Sequence, residues 1–278
     1  MANAPWGDDP LAYLAEIGNR QISRFDPGLA ALAFAARERP GLAFDSYLAH
    51  LDQLAFAANR LLVGDDVEAH AEALRASIHK EFGYEGDSAT YDDLQNADLV
   101  RVIDRRRGLP VALGILHLSV CYRLGWEMQG LAFPGHFLVS LNLGSDRLPI
   151  DPFGGGRSLS AADMRAILKR IQGEQAELTA ACYQPVDDRD VLLRLQNNIK
   201  LRRLRIGDLP GALMTVEGML ALAPGVKELR HEIGMIHLRL ENISEATRQL
   251  EIYLEQETNH GIRLKVATLL QELKLKLN

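Results

Sequence analysis

The stretch RRRGLPVALGILHLSVCYRLGWEMQGLAFPGHFLVSLNLGSDRLPIDPFGGGRS, residues 105–158, decides the fold. Gly108-Leu109-Pro110 opens a helix, because proline's missing N–H costs nothing in a first helical turn. The run to about Leu124 is apolar nearly all round, which predicts a central, buried helix closed by Gly125. Strands are expected near Glu127–Phe133, His136–Asn142 and Leu148–Ile150, with Gly144-Ser145-Asp146 as the hairpin turn. Alternation from His136 puts His136, Leu138 and Ser140 on one strand face. Asp151 ends the next apolar segment. Pairing through the turn brings His136 and Asp151 to the same end of the hairpin.

A carboxylate that accepts from one imidazole nitrogen fixes the tautomer and leaves the other nitrogen as a base. The bland alternative is a His–Asp pair that only stabilises the sheet. A nucleophile for such a pair belongs at the helix start, and Val111 and Ala112 stand there. Cys121 lies nine residues beyond Ala112, about 13 Å along the helix and on the opposite face. The helix-dipole effect fades within the first turn, so Cys121 reads as a structural thiol. Nothing places Cys182 near His136. His117, five residues past Ala112, reads as a core histidine. No HxH, HExxH or CxxC spacing supports a metal site. Gly154–Gly156 lacks the strand–GxxxxGK–helix setting of a phosphate loop and reads as a turn.

Composition sets the outer limits. The chain has 278 residues, 47% hydrophobic and 24% charged, with a formal net charge of −6. That size supports one large domain or two smaller ones. The charge argues against nucleic acid as a partner, since phosphate binding needs a basic face. Two cysteines do not make a disulfide scaffold and fit a reducing compartment. The N-terminal MANAPWGDDP has neither a basic nor an apolar leader segment, and Leu109–Tyr122 is too short to cross a bilayer. The expectation is a cytoplasmic protein without membrane contact.

Upstream, residues 8–82 read as helical. Leu11, Leu14, Ile17 and Ile22 keep one face, Ala30–Arg37 is rich in Ala and Leu, and Ser46–Leu62 has apolar residues at three-to-four spacing that Asp65–Phe82 repeats, with Asp66 as a cap. Gly83–Asp93 reads as a loop and Leu94–Ile103 as a short helix. Ser160–Gly173 is a capped helix. Pro185 and the acidic VDDRD read as a linker, which sets domains at residues 1–185 and 186–278.

Beyond the linker the sequence repeats at an offset of 34. Ile199 pairs with Ile233, Leu204 with Leu238, Asp208 with Asn242, Ala212 with Ala246, Val216 with Leu250 and Leu220 with Leu254. Small alanines at one fixed point let two helices approach closely, and Asp208 and Asn242 fall in turns. This resembles tetratricopeptide repeats, about two units and a capping helix, Gly261–Leu277.

PGHF at 134–137, DPFGGG at 151–156, the run RRRGLPVALGILHLSVCYRLGW and the upstream FGYEGDS and YDDLQNADLVRVIDRRRGLP together resemble the bacterial SirB-type invasion-regulator family. The resemblance covers residues from about 40 to the end. It implies an α+β, mostly helical fold: a transglutaminase-like (papain-like) core with a small antiparallel sheet, then tetratricopeptide-like helices. In catalytic members of the wider superfamily a helix-start Cys, activated by His and Asp, attacks an amide carbonyl. His136 and Asp151 match that His and Asp, vestigial or active, and the Cys position is vacant.

The expected function is therefore a non-catalytic protein, acting in protein–protein interaction or regulation through its helical repeats. No cofactor and no metal is expected, and the oligomeric state is open. The alternative is an amide hydrolase or acyltransferase using His136 and Asp151 with an unassigned nucleophile or activated water. Regulation of bacterial gene expression by protein contact follows only from the family's name.

Overall fold

The computed structural model describes residues 4–19 and 24–277. Ile22, expected on the first helical face, lies outside them. The helices are α1 (Pro10–Asn19), α2 (Pro27–Arg37), α3 (Asp45–Leu61), α4 (Val67–Arg75), α5 (Leu99–Arg105), α6 (Pro110–Leu124), α7 (Ala161–Gln172), α8 (Asp188–Ile206), α9 (Leu209–Leu222), α10 (Glu228–Arg239), α11 (Ile243–Gln256) and α12 (His260–Leu277). The strands are β1 (Glu85–Gly86), β2 (Arg107–Gly108), β3 (Glu127–Leu131), β4 (Leu138–Leu143), β5 (Asp146–Asp151), β6 (Arg157–Ser158) and β7 (Pro185–Val186). The chain is mostly helical with a small antiparallel sheet, as expected.

Two compact units divide the molecule. The boundary falls inside α8, after Leu195, and residues 11–19 group with the second unit. The sequence reading had put it at 185/186. The VDDRD segment is also not a linker: Pro185 and Val186 pair with Leu131 and Gly130 as an edge strand, and α8 begins at Asp188. Its acidic residues suit a helix N-terminus, where carboxylates meet the positive end of the dipole.

In the first unit α6 is the centre. Every residue from Pro110 to Cys121 is buried. Burying Val, Leu or Ile side chains is worth about 1.5–3 kcal/mol each. Val111, Leu113, Ile115, Leu116, Leu118 and Val120 thus make α6 a large contributor to the apolar core here. Pro110 opens it and Gly125 closes it in the left-handed region, at φ +69°.

The five-stranded sheet runs β6-β5-β4-β3-β7, antiparallel throughout. Gly144 and Ser145 join β4 to β5, with Leu143 opposite Asp146. Gly144 sits at φ +59°, which a tight two-residue hairpin loop requires. Leu138 of β4 packs with Leu131, Leu159, Met164, Ile167 and Leu168, which places α7 on that side. Phe137, one residue earlier, packs on Gly114 of α6. β4 is therefore covered on both faces, and Leu138–Asn142 are all buried.

In the second unit α9–α12 follow one another, with α1 against α9: a Cβ on Gly18 would lie 2.2 Å from the Ala221 carbonyl oxygen. The two turns separated by 34 residues have the same build. Gly207 and Glu241 are both left-handed, at φ +79° and +59°. Asp208 and Asn242 follow as N-caps, accepting from the N–H of Gly211 and Glu245. Ala212 and Ala246 are fully buried. Leu250, Tyr253, Val266, Leu270 and Leu273 form a core between α11 and α12.

Candidate functional site: a histidine–aspartate pair beneath a glycine loop

Phe137 sets the position of its neighbour His136. A Cβ on Gly114 would lie 2.3 Å from Phe137 Cε1, and one on Gly130 would lie 3.2 Å from Cζ. The ring thus slots between α6 and β3, where only glycines leave room. The Arg194 guanidinium lies over the same ring, 5.4 Å from its centroid, and donates to the His136 carbonyl oxygen at 2.8 Å. His136 is not the first residue of a strand, as alternation had suggested. It sits in a bend two residues before β4, so it does not share a pleat with Leu138 and Ser140.

The bend turns the imidazole to the end of β5. His136 Nε2 lies 2.9 Å from Asp151 Oδ1. Asp151 is buried and His136 half-buried. The Phe153 N–H donates to the same Oδ1 at 3.1 Å. A Cβ on Gly154 would meet Asp151 Oδ2 at 2.5 Å, so the first glycine of the Gly154–Gly156 run is needed for close approach to the carboxylate. Burial raises the Asp151 pKa. The hydrogen bond and charge of His136, the Gly154 N–H and Arg157 outweigh it, and the net shift is downward. Phe153 faces the His136 ring edge-on at 6.1 Å, and Tyr91 packs on Phe153 at 5.9 Å.

No thiol joins this pair. Val111 and Ala112 are both buried at the start of α6. Cys121 is fully buried, its Sγ 3.7 Å from Met128 Sδ. Burial pushes its thiol well above the ordinary range, and the charge of Arg24 only partly offsets this. Cys182 lies in the apolar cluster with Leu131 and Met164. What the arrangement offers chemically is an imidazole held by a carboxylate, able to bind or release a proton.

The sequence reading missed His79. The chain leaves α4 through a π-helical turn, Ala76–Glu81. His79 Nδ1 donates to the Tyr84 carbonyl oxygen at 2.7 Å, and Nε2 lies 3.2 Å from His117 Nε2. His117 is a fully buried core residue, and its Nδ1 donates to the Leu113 carbonyl oxygen at 2.9 Å. Gly156 covers the pair: a Cβ there would lie 2.7 Å from His79 Nε2 and 3.4 Å from His117 Nε2. The Asp151 charge acts on both rings. No sequence signal points to His79, because the widened turn that directs it inward has no motif of its own. Among the described residues no group of three or more His, Cys, Asp or Glu side chains is placed to hold a metal ion. No described helix is long and apolar enough to cross a membrane.

Comparison with known proteins bears on this geometry. A domain described as "Transglutaminase-like superfamily" matches residues 45–197, which hold α3 through the first half of α8 and so both the His136–Asp151 and the His79–His117 pair. The chain belongs to the transglutaminase-like superfamily. Within it, this transglutaminase-like protein is 32% identical to a UPF0162 protein of Xylella fastidiosa, over 66% of this chain and 66% of that relative. It is 30% identical to a UPF0162 protein of Vibrio cholerae, over 70% of this chain and 72% of that relative. Human F-box only protein 21 is 26% identical over 52% of this chain but only 24% of its own length. The shared region is therefore also found as a small part of a much longer chain.

Proposed function

We propose that this transglutaminase-like protein works by binding rather than by amide chemistry. Its first unit keeps the superfamily's His–Asp pair without a nucleophile. Its second unit supplies tetratricopeptide-like hairpins that take up a protein or peptide segment, in an interaction or regulatory role. The observation that carries this reading is the surroundings of His136. Its ring meets Asp151 and Phe153, the helix start offers Val111 and Ala112, and Cys121 is sealed in the core beside Met128.

Matched turns 34 residues apart support the repeat reading. A cleft of about 330 Å³ in the second unit, lined in part by Leu11, Ala15, Leu220, Ala221, Ile233 and Arg248, is the place where a segment would dock. Helical repeats characteristically bind extended or helical segments in such grooves. A photo-cross-linking residue at Ala221 in the full chain tests this. The reading expects one discrete cross-linked protein from a native lysate, unchanged by His136→Ala and absent with the cross-linker at exposed Val63. Equal cross-linking at both positions would count against it.

The intact 2.9 Å bond between His136 and Asp151 favours a second reading, amide hydrolysis or acyl transfer with an activated water. On that reading a peptide-amide substrate is turned over and His136→Ala slows turnover at least ~100-fold, the lower range of general base catalysis. The binding reading expects no turnover above the uncatalysed rate.

A further inference from the structure

We propose that His79 and His117 form a one-proton site: the pair binds a single proton, shared between the two Nε2 atoms, with Asp151 as its counter-charge. This goes beyond the binding function and does not depend on it. The carbonyl partners fix both tautomers. A carbonyl oxygen only accepts, so both Nδ1 atoms, at 2.7 and 2.9 Å from Tyr84 O and Leu113 O, carry hydrogen. With both rings neutral, the two Nε2 atoms would then face each other as lone pairs at 3.2 Å. Two lone pairs at that distance repel.

One added proton turns that contact into an N–H⁺···N hydrogen bond, which is charge-assisted and roughly twice as strong as a neutral one. A second proton would press two cations together in a buried site. Burial pulls both pKa values down, His117 to about 3, which moves uptake of the first proton to the acid side of a free imidazole and opposes a second more strongly. The pair therefore takes up one proton as a unit, not one per ring.

The charges around the pair are few. Asp151, at the end of β5, favours the cation on both rings, while Arg75, at the end of α4, disfavours it on His79. Gly156 closes over both Nε2 atoms and leaves no room for a side chain there. The same Asp151 carboxylate also binds His136. The carboxylate that favours a cation on the His79–His117 pair is thus the one His136 also contacts.

Nitrogen-15 NMR of the imidazoles in the full, uniformly labelled chain tests this across a pH titration. The expected result is protonated Nδ1 on His79 and His117 throughout, and one uptake step seen with the same midpoint at both Nε2 atoms. In His79→Gln that step is lost at His117. Should His79→Gln not fold, the wild-type titration alone still decides the one-proton claim. Two independent midpoints, an Nδ1 without hydrogen on either ring, or an unchanged uptake step at His117 in a folded His79→Gln would overturn the proposal. So would a stoichiometric metal ion found with the purified chain by elemental analysis.

Discussion

At Gly114 one missing methyl group decides where the candidate site lies. Phe137 occupies the space a Cβ would need, and His136 is held in the adjoining bend. Gly114→Ala improves helix propensity by roughly 1 kcal/mol, but it must displace an aromatic ring buried on both sides. Overpacking of this kind costs about 1–3 kcal/mol. Urea denaturation should therefore show a net loss of stability, and the His136 and Asp151 NMR signals should shift. Asp151 supplies a second prediction at this scale. Its pKa is depressed in the folded chain. The stability it contributes is therefore present above the unfolded carboxylate value, about 3.9, and lost as pH falls through the folded one. Asp151→Asn should flatten that acid limb of the stability curve and leave its upper part parallel to wild type. His50 acts at higher pH. Burial and the Arg106 charge lower it to about 4, so its neutral form favours folding. Stability should fall as pH drops from about 6.5 towards 4, and His50→Gln should remove that slope. Of these residues the sequence made His136 and Asp151 legible, because proline, glycine and aspartate punctuate the hairpin. It hid His79, whose direction depends on a π-helical turn, and His50, whose partners Tyr84 and Arg106 lie 34 and 56 residues away.

Elements were legible where one physical signal dominated. α6 announces itself by Pro110, Gly125 and an unbroken apolar run, and the β4–β5 hairpin by Gly144. α7 begins with a reciprocal capping box between Ser160 and Asp163. Polarity misled where tertiary pairing decided the outcome. The acidic segment before α8 resembles a linker, yet Pro185 and Val186 complete the sheet edge. Gly83–Asp93 resembles a loop, yet Glu85 and Gly86 pair with Arg107 and Gly108. In the second unit the 34-residue offset is visible in the backbone as well as in the sequence. Where the first turn has Gly207, the second has Glu241 in the same left-handed conformation. Glu241→Gly should therefore stabilise the chain by about 0.5–1 kcal/mol, since glycine carries no Cβ penalty there. Asn242→Ala removes the cap on α11 and should cost about 1 kcal/mol. Thermal unfolding of both variants checks the pair of opposite signs.

Across the whole molecule the two units carry different functional features. The first carries the superfamily's fold and a His–Asp pair held in hydrogen-bonded geometry, with its thiols in apolar cores. The second carries matched helical turns and a cleft. Neither buried thiol serves His136. The rate of thiol modification in the native full chain tests this most directly. Cys121 and Cys182 should react only as fast as the chain unfolds, and no more slowly in His136→Ala than in wild type. Rapid native-state modification of Cys121 that His136→Ala abolishes would contradict it.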